Sequence, residues 1–165
     1  MKRLTLVRHA KSDWGDPGLE DFERPLNARG ERDAPEMARR MAEAGLKPAL
    51  IVTSPAVRAL ATATVFARAF GYPARRIRHA DEAYLATPGT LLEIVRRMGG
   101  KSRHVMLFGH NPGISQFAAL LTGDDSLRDV PTAAVVSLAV DLKSWGDLAP
   151  GRAERLLYDY PKSRR

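Results

Sequence analysis

Leu4-Thr5-Leu6-Val7-Arg8-His9-Ala10-Lys11-Ser12 is the stretch from which the rest of the chain is read. Leu4 to Val7 is apolar and β-prone, and a polar, Gly- and Pro-containing segment from Lys11 to Pro25 follows it. That order predicts a buried strand that ends at Arg8 and runs into a long loop. From Asn27 the pattern turns helical, with Ala34, Met37, Ala38, Met41 and Ala42 at spacings of three and four and Gly45 as a stop. A helix over about Ala28 to Ala44 is expected.

The same alternation then recurs. Ala49 to Thr53 is a second short apolar run, and Ser54-Pro55 supplies a cap and a first-turn proline for a helix from Pro55 to Phe70. Ile77 marks a minor strand, and Thr87-Pro88 opens a helix through Leu91, Leu92, Ile94, Val95 and Met98 to Gly99-Gly100. His104 to Phe108 is a third clear strand, broken by Gly109-His110-Asn111-Pro112-Gly113. Asn111 is placed to cap, and Pro112 to begin, a helix over Ile114 to Leu121. Ala133 to Asp141 reads as a fourth strand, joined by a turn-rich link over Lys143 to Gly151 to an edge strand near Glu154 to Tyr158. Three strand, loop, helix units predict an α/β fold: a three-layer αβα sandwich whose central sheet is mostly parallel.

Composition narrows the function classes. At 165 residues a single domain over 1–165 can bury a full core. With no cysteine, thiolate metal sites, disulfides and a cysteine nucleophile are excluded. No His-x-x-x-His or Asp-x-His ligand pair occurs, and Asp124-Asp125 with Asp129 lacks a calcium-loop pattern, so neither metal nor other cofactor is expected. The apolar stretch at the amino terminus is too short for a signal-peptide core or a membrane span, which predicts a cytoplasmic location and no membrane partner. Lys and Arg outnumber Asp and Glu by 26 to 19, favouring anionic ligands. The dense basic cluster Lys162-Ser163-Arg164-Arg165 reads as a flexible, solvated end (161–165), so nucleic acid is not expected as a partner.

In open α/β sheets ligands collect at the carboxyl ends of the strands. There the chain places Arg8-His9, Ser54-Pro55 with Arg58, and Gly109-His110-Asn111. Two imidazoles and two guanidiniums suit a phosphoryl group, since arginine forks grip its oxygens and a neutral histidine nitrogen can attack phosphorus. Each piece alone has a plainer reading, as a loop turn, a helix cap or a solvated arginine; their convergence at one edge carries the inference. Lys11, Ser12 and Asn111 are further candidates to hold phosphate oxygens. In the long first loop, Trp14 and Phe22 read either as a rim that contacts a protein or ring-bearing substrate or as anchors of the loop itself. His79 and His104, at presumed strand starts, read as structural or solvent-facing.

These residues resemble the histidine phosphatase superfamily, with its phosphoglycerate-mutase-like fold. Ala10 stands where the usual Arg-His-Gly signature has glycine, and followed by Lys11-Ser12 it is similar to the small SixA-like phosphohistidine phosphatase branch. Arg24-Pro25-Leu26 with Gly30, Ser54-Pro55 with Arg58 and Thr62, and Pro131-Thr132 extend the likeness over the chain. The resemblance implies His9 as a phosphorylated nucleophile, with Arg8, Arg58 and His110 holding the phosphate and Ser12 and Asn111 assisting. It also offers Glu82, with Asp81 as rival, as the proton donor; the alternative for both is a solvated pair beside a helix. The implied activity is metal-independent removal of phosphate from phosphohistidine on a protein, by a monomer or weak dimer. A phosphatase of small phosphomonoesters, such as sugar phosphates or nucleotides, is the alternative, and a non-catalytic phosphate-binding module is a third reading.

Overall fold

A computed structural model describes residues 1–14 and 16–164. Six strands form one sheet: β1 (Lys2–Arg8), β2 (Leu50–Thr53), β3 (Arg78–His79), β4 (His104–Gly109), β5 (Val135–Val140) and β6 (Ala153–Asp159). Their order is β3-β2-β4-β1-β5-β6. The four strands from β3 to β1 run parallel, while β5 is antiparallel to β1 and to β6. The antiparallel pair follows from the connections. Between β5 and β6 the chain forms turns and one 3-10 turn over Trp145–Asp147 instead of a crossover helix, so it comes back as a long hairpin would.

Strand alternation divides the core between two helical layers. Leu4 and Leu6 of β1, Val105 and Leu107 of β4 and Val136 and Leu138 of β5 face α3 (Pro88–Met98) and α4 (Gly113–Thr122). Val7, Met106, Phe108 and Val135 face α1 (Ala28–Glu43) and α2 (Val57–Phe70). Each fully buried side chain of this size stabilises the fold by about 1.5–3 kcal/mol relative to exposure, which is why neither face tolerates a register slip. The result is the αβα sandwich expected from the sequence.

Several details differ from the sequence reading: His79, for one, ends β3 level with Thr53 instead of starting a strand. Helix α2 begins at Val57 rather than Pro55, because Ser54 does not cap it; the cap position is Ala56, with no side-chain bond. Helix α4 has Pro112 at its cap position, with Asn111 one residue further out. The predicted frayed end is instead a 3-10 turn over Pro161–Arg164. The buried Arg40 guanidinium on α1 donates to the carbonyls of Tyr160 and Pro161, both at 3.0 Å, and so ties that turn to the domain. Arg165 lies outside the described residues.

Register positions the site. Arg8 pairs with Gly109 and Thr53 with Phe108, so β1, β4 and β2 end level with one another. The ladder continues one step beyond the strands, with His9 N–H donating to Gly109 O and Ser54 N–H to Phe108 O, both at 3.0 Å. His9, His110 and Ser54 therefore leave the sheet at the same edge.

Candidate active site

A cavity of about 350 Å³ opens at that edge. Arg8, His9, Ser12, Arg58, His110 and Asn111 line it, as do Lys11, Trp14, Asp21, Arg24, Leu85 and Thr132. The His9 and His110 rings lie 5.2 Å apart between centroids. Six of the predicted residues, His9, His110, Arg8, Arg58, Ser12 and Asn111, thus meet in one place.

His9 is held in a defined tautomer. Its Nδ1 lies 2.7 Å from the carbonyl of Ala10, an acceptor only, so Nδ1 carries the proton and Nε2 the lone pair. Nε2 accepts from Arg58 Nε at 3.4 Å. Burial lowers the His9 pKa to about 4 despite the opposing bond to Ala10, and the charges of Arg58, Arg8 and Arg24 push it the same way. The loop that carries His9 is itself fixed: Ala10 N–H donates to Thr62 Oγ1 at 3.0 Å, and that hydroxyl donates to Arg58 O at 2.8 Å.

His110 Nε2 lies 2.7 Å from Ser54 Oγ. Burial, then the neighbouring His9 and Arg58, hold the His110 pKa at about 3, so both imidazoles are neutral near pH 7 in the free protein. His110 Nδ1 and Arg8 Nε are buried with no hydrogen-bond partner among the described residues. Unpaired buried donors and acceptors are rare in folded proteins, and two of them beside one cationic cavity suit the oxygens of a bound oxyanion.

Asp21 organises the guanidiniums. Its Oδ2 accepts from Arg58 Nη2 at 3.0 Å and from the Tyr84 hydroxyl, its Oδ1 from Arg24 Nε at 3.0 Å, and its backbone carbonyl from Arg58 Nη1 at 2.7 Å. Burial tends to raise its pKa, but Tyr84, Arg58 and Arg24 together outweigh that and hold it at about 2. Arg24 also donates to Ser12 Oγ at 2.7 Å, and the Tyr84 ring meets the His110 ring edge-on at 5.4 Å. Neither Asp21 nor Tyr84 stands out in the sequence, where Asp21 is one of five carboxylates between Asp13 and Glu23. The available signal was its i,i+3 spacing from Arg24.

Two candidates fall elsewhere. Glu82 does not line the cavity: it sits on a 3-10 turn over Asp81–Ala83, and its carboxylate pairs on the exterior with Arg97 of α3. Its rival Asp81 is exposed on the same turn and is also absent from the lining. Asn111 lines the cavity, but its side chain is engaged in bracing the loop. Nδ2 donates to Val130 O at 3.0 Å, and Oδ1 accepts from Ser115 N and Oγ at 3.2 and 2.8 Å. Among the described residues no group of three or more His, Asp or Glu is placed to hold a metal ion.

His104 is structural, with Nε2 2.7 Å from Thr5 Oγ1 beneath the sheet's other end. Burial lowers its pKa to about 4 as well. The three depressed histidines make stability depend on pH with a definite sign. The unfolded chain takes up their protons near pH 6.5 while the folded chain does not until about pH 4 or below, so stability is full above 6.5 and falls as pH drops through that window. Thermal unfolding followed between pH 7.5 and 4.5 should show a falling midpoint. His104→Gln, remote from the cavity, should flatten that slope by up to about one proton's worth; an unchanged slope would remove His104 from the account.

Comparison with known proteins gives a consistent answer. The histidine phosphatase superfamily (branch 1) matches residues 4–87. An uncharacterized Mycobacterium tuberculosis protein is 33% identical over 94% of this chain and 100% of its own length. An uncharacterized chloroplastic protein of Arabidopsis thaliana is 32% identical over 74% of this chain, which spans 60% of that relative. Among solved structures, the candidate phosphohistidine phosphatase SixA of Agrobacterium tumefaciens superposes with a TM-score of 0.83 at 30% identity, covering 97% of this chain and 98% of that one. A protein histidine phosphatase SixA solved with tungstate superposes at 0.81 with 17% identity over 99% of both chains, a likeness of fold. By its sequence match and its sheet-edge cavity alike, the chain belongs to the histidine phosphatase superfamily, branch 1, as a SixA-like hydrolytic phosphatase.

Proposed function

We propose that the phosphatase hydrolyses phosphohistidine on a protein through a covalent phosphohistidine at His9. The observation that carries this is the His9 tautomer, with Nδ1–H committed to Ala10 O and the Nε2 lone pair facing Arg58. In the first step Nε2 attacks phosphorus, an N–P bond forms, and the substrate's own P–N bond breaks. The departing ring leaves as neutral imidazole because its far nitrogen carries a proton. Water then attacks the phosphorus on His9, the new N–P bond breaks, inorganic phosphate departs, and Nε2 regains its lone pair. Arg8 and Arg58 stabilise the charge spread over the phosphoryl oxygens in both steps, and His110 and Ser12 add hydrogen bonds. A phosphate dianion beside His110 favours its protonated form and so strengthens its donor role.

The phosphohistidine reading draws support from the cavity's carboxylate. Asp21 is held at a pKa of about 2 between two arginines and a tyrosine, so it accepts hydrogen bonds and does not donate a proton to an alkoxide. A serine or sugar leaving group needs such a proton; an imidazole does not. The Agrobacterium tumefaciens SixA, 30% identical to this chain, is described as a candidate phosphohistidine phosphatase, which agrees.

The test is a panel of a phosphohistidine peptide, a phosphoserine peptide and a sugar phosphate against the wild type and Glu82→Gln. The phosphohistidine peptide should be preferred in kcat/KM by about 10²-fold or more, the usual contribution of a general acid that the esters lack here. Glu82→Gln should leave all rates within about twofold, as expected of an exposed ion pair. A large loss confined to the esters would instead restore Glu82 as the acid and shift the substrate class.

A further inference from the structure

The mouth of the cavity is apolar while its floor is cationic. Trp14 and Leu85, both on the lining, are 74% and 56% exposed, and Phe22, next to Asp21, is 37% exposed. These three are a large share of the big apolar side chains that the domain leaves in water, and they gather where an anion must enter. They are also tied to the phosphate-facing groups. The Arg24 guanidinium lies 3.4 Å from the centre of the Trp14 ring, and the Phe22 ring meets the Tyr84 ring edge-on at 5.1 Å. Leu85 follows Tyr84 and has φ +50°, a left-handed conformation that a branched aliphatic residue adopts only under constraint. The strain holds an apolar side chain at the opening, where solvent alone would favour glycine.

We infer that this collar is a specificity element that recognises apolar side chains flanking the phosphorylated histidine on a partner protein. The inference rests on the phosphohistidine reading above and adds to it what the surroundings of that histidine must be. Charge and polarity match in two zones: the phosphoryl group meets Arg8, Arg58 and Arg24 inside, and the flanking residues meet Trp14, Phe22 and Leu85 outside. A sugar tail would instead set hydroxyl groups against this collar, stripping water from them with no partner in return.

Two phosphohistidine peptides of equal length and charge, one with leucine and one with serine on either side of the histidine, test this, with free phosphoramidate as a P–N substrate that has no flanks. For the wild type, kcat/KM for the leucine peptide should exceed that for the serine peptide by about tenfold, the scale expected when flanking leucines leave water. Leu85→Gly removes the side chain at a backbone conformation that glycine prefers, so the fold is not at risk; in it the ratio should fall several-fold towards one. Phe22→Ser should lower the ratio in the same direction. Phosphoramidate turnover in each variant normalises for any disturbance of the phosphate site. A wild-type ratio near one, or a ratio unchanged in both variants, overturns the collar while leaving the phosphohistidine reading intact. Failure of the wild type on both peptides and on phosphoramidate, with phosphoserine cleaved, overturns both.

Discussion

His9→Ala should lower turnover by about 10⁴-fold or more, the scale on which removing a nucleophile acts when the rest of the site remains. Acid-labile phosphate on the protein, detected after brief mixing with a phosphorylated peptide, should vanish with it. The fold should survive. The ring makes a short hydrogen bond to Ala10 O and a longer one, at 3.4 Å, from Arg58 Nε, and leaving the carbonyl unpaired costs about 1–3 kcal/mol. Circular dichroism and thermal unfolding check this, so that lost activity is not mistaken for lost structure. Turnover within tenfold of wild type, or acid-labile label persisting in the variant, would sink the covalent mechanism. The pH dependence supplies an independent reading: because the attacking nitrogen is free only when the ring is neutral, kcat/KM should fall as pH drops towards about 4, where His9 protonates.

Gly30→Ala is the second change with a large expected effect, and its sign opposes helix propensity. In an open helix, alanine would improve on glycine by about 1 kcal/mol. Gly30, near the start of α1, has no such room: an added Cβ would fall 2.1 Å from the carbonyl oxygen of Lys11. That oxygen already accepts from Asn27 N–H at 3.0 Å, so the loop after β1 is seated directly on the helix end. Forcing the two apart should cost about 2–3 kcal/mol, lowering the unfolding midpoint by roughly 4–12 °C for a domain of this size. Lys11 is two residues from His9, and a displacement of that loop by about 1 Å should reduce kcat about 10²-fold. An unchanged or raised midpoint would show that the loop yields freely and that the close approach positions nothing.

Much of this was legible in the sequence, for reasons that differ by residue. The strands were readable because their apolar runs are short and bounded by Gly, Pro and polar breaks, and the helices because α1 and α3 repeat apolar residues at three and four. The positions of His9, Arg58 and His110 followed from the rule that strand ends converge, without any knowledge of side-chain direction. Local capping was less legible. Ser54 has the composition of a cap, but its hydroxyl lies 2.7 Å from His110, 56 residues away just past β4, and accepts from Ala56 N–H at 3.2 Å, one residue short of the helix. Asn111 serves α4 by accepting from Ser115, and that same bond, with its donation to Val130, occupies the amide expected to touch phosphate. Glu82 failed as a cavity residue because its partner, Arg97, lies on α3 and draws the carboxylate outward. Asp21 was missed because sequence spacing does not reveal which of five loop carboxylates turns inward; the short turn over Asp21–Glu23 decides that.

The level strand ends have an evolutionary implication. The two imidazoles stand one residue beyond β1 and β4, adjacent parallel strands joined through six registered residue pairs from Arg3–His104 to Arg8–Gly109, so their spacing is built into the sheet. Trp14 and Phe22 belong to the connection before α1 and Leu85 to the one before α3. Connections of that kind can lengthen at little thermodynamic expense, about 0.6 kcal/mol for each doubling. Selection can therefore redesign whom this domain serves by editing two loops, while the bond-breaking apparatus beneath them is inherited unaltered.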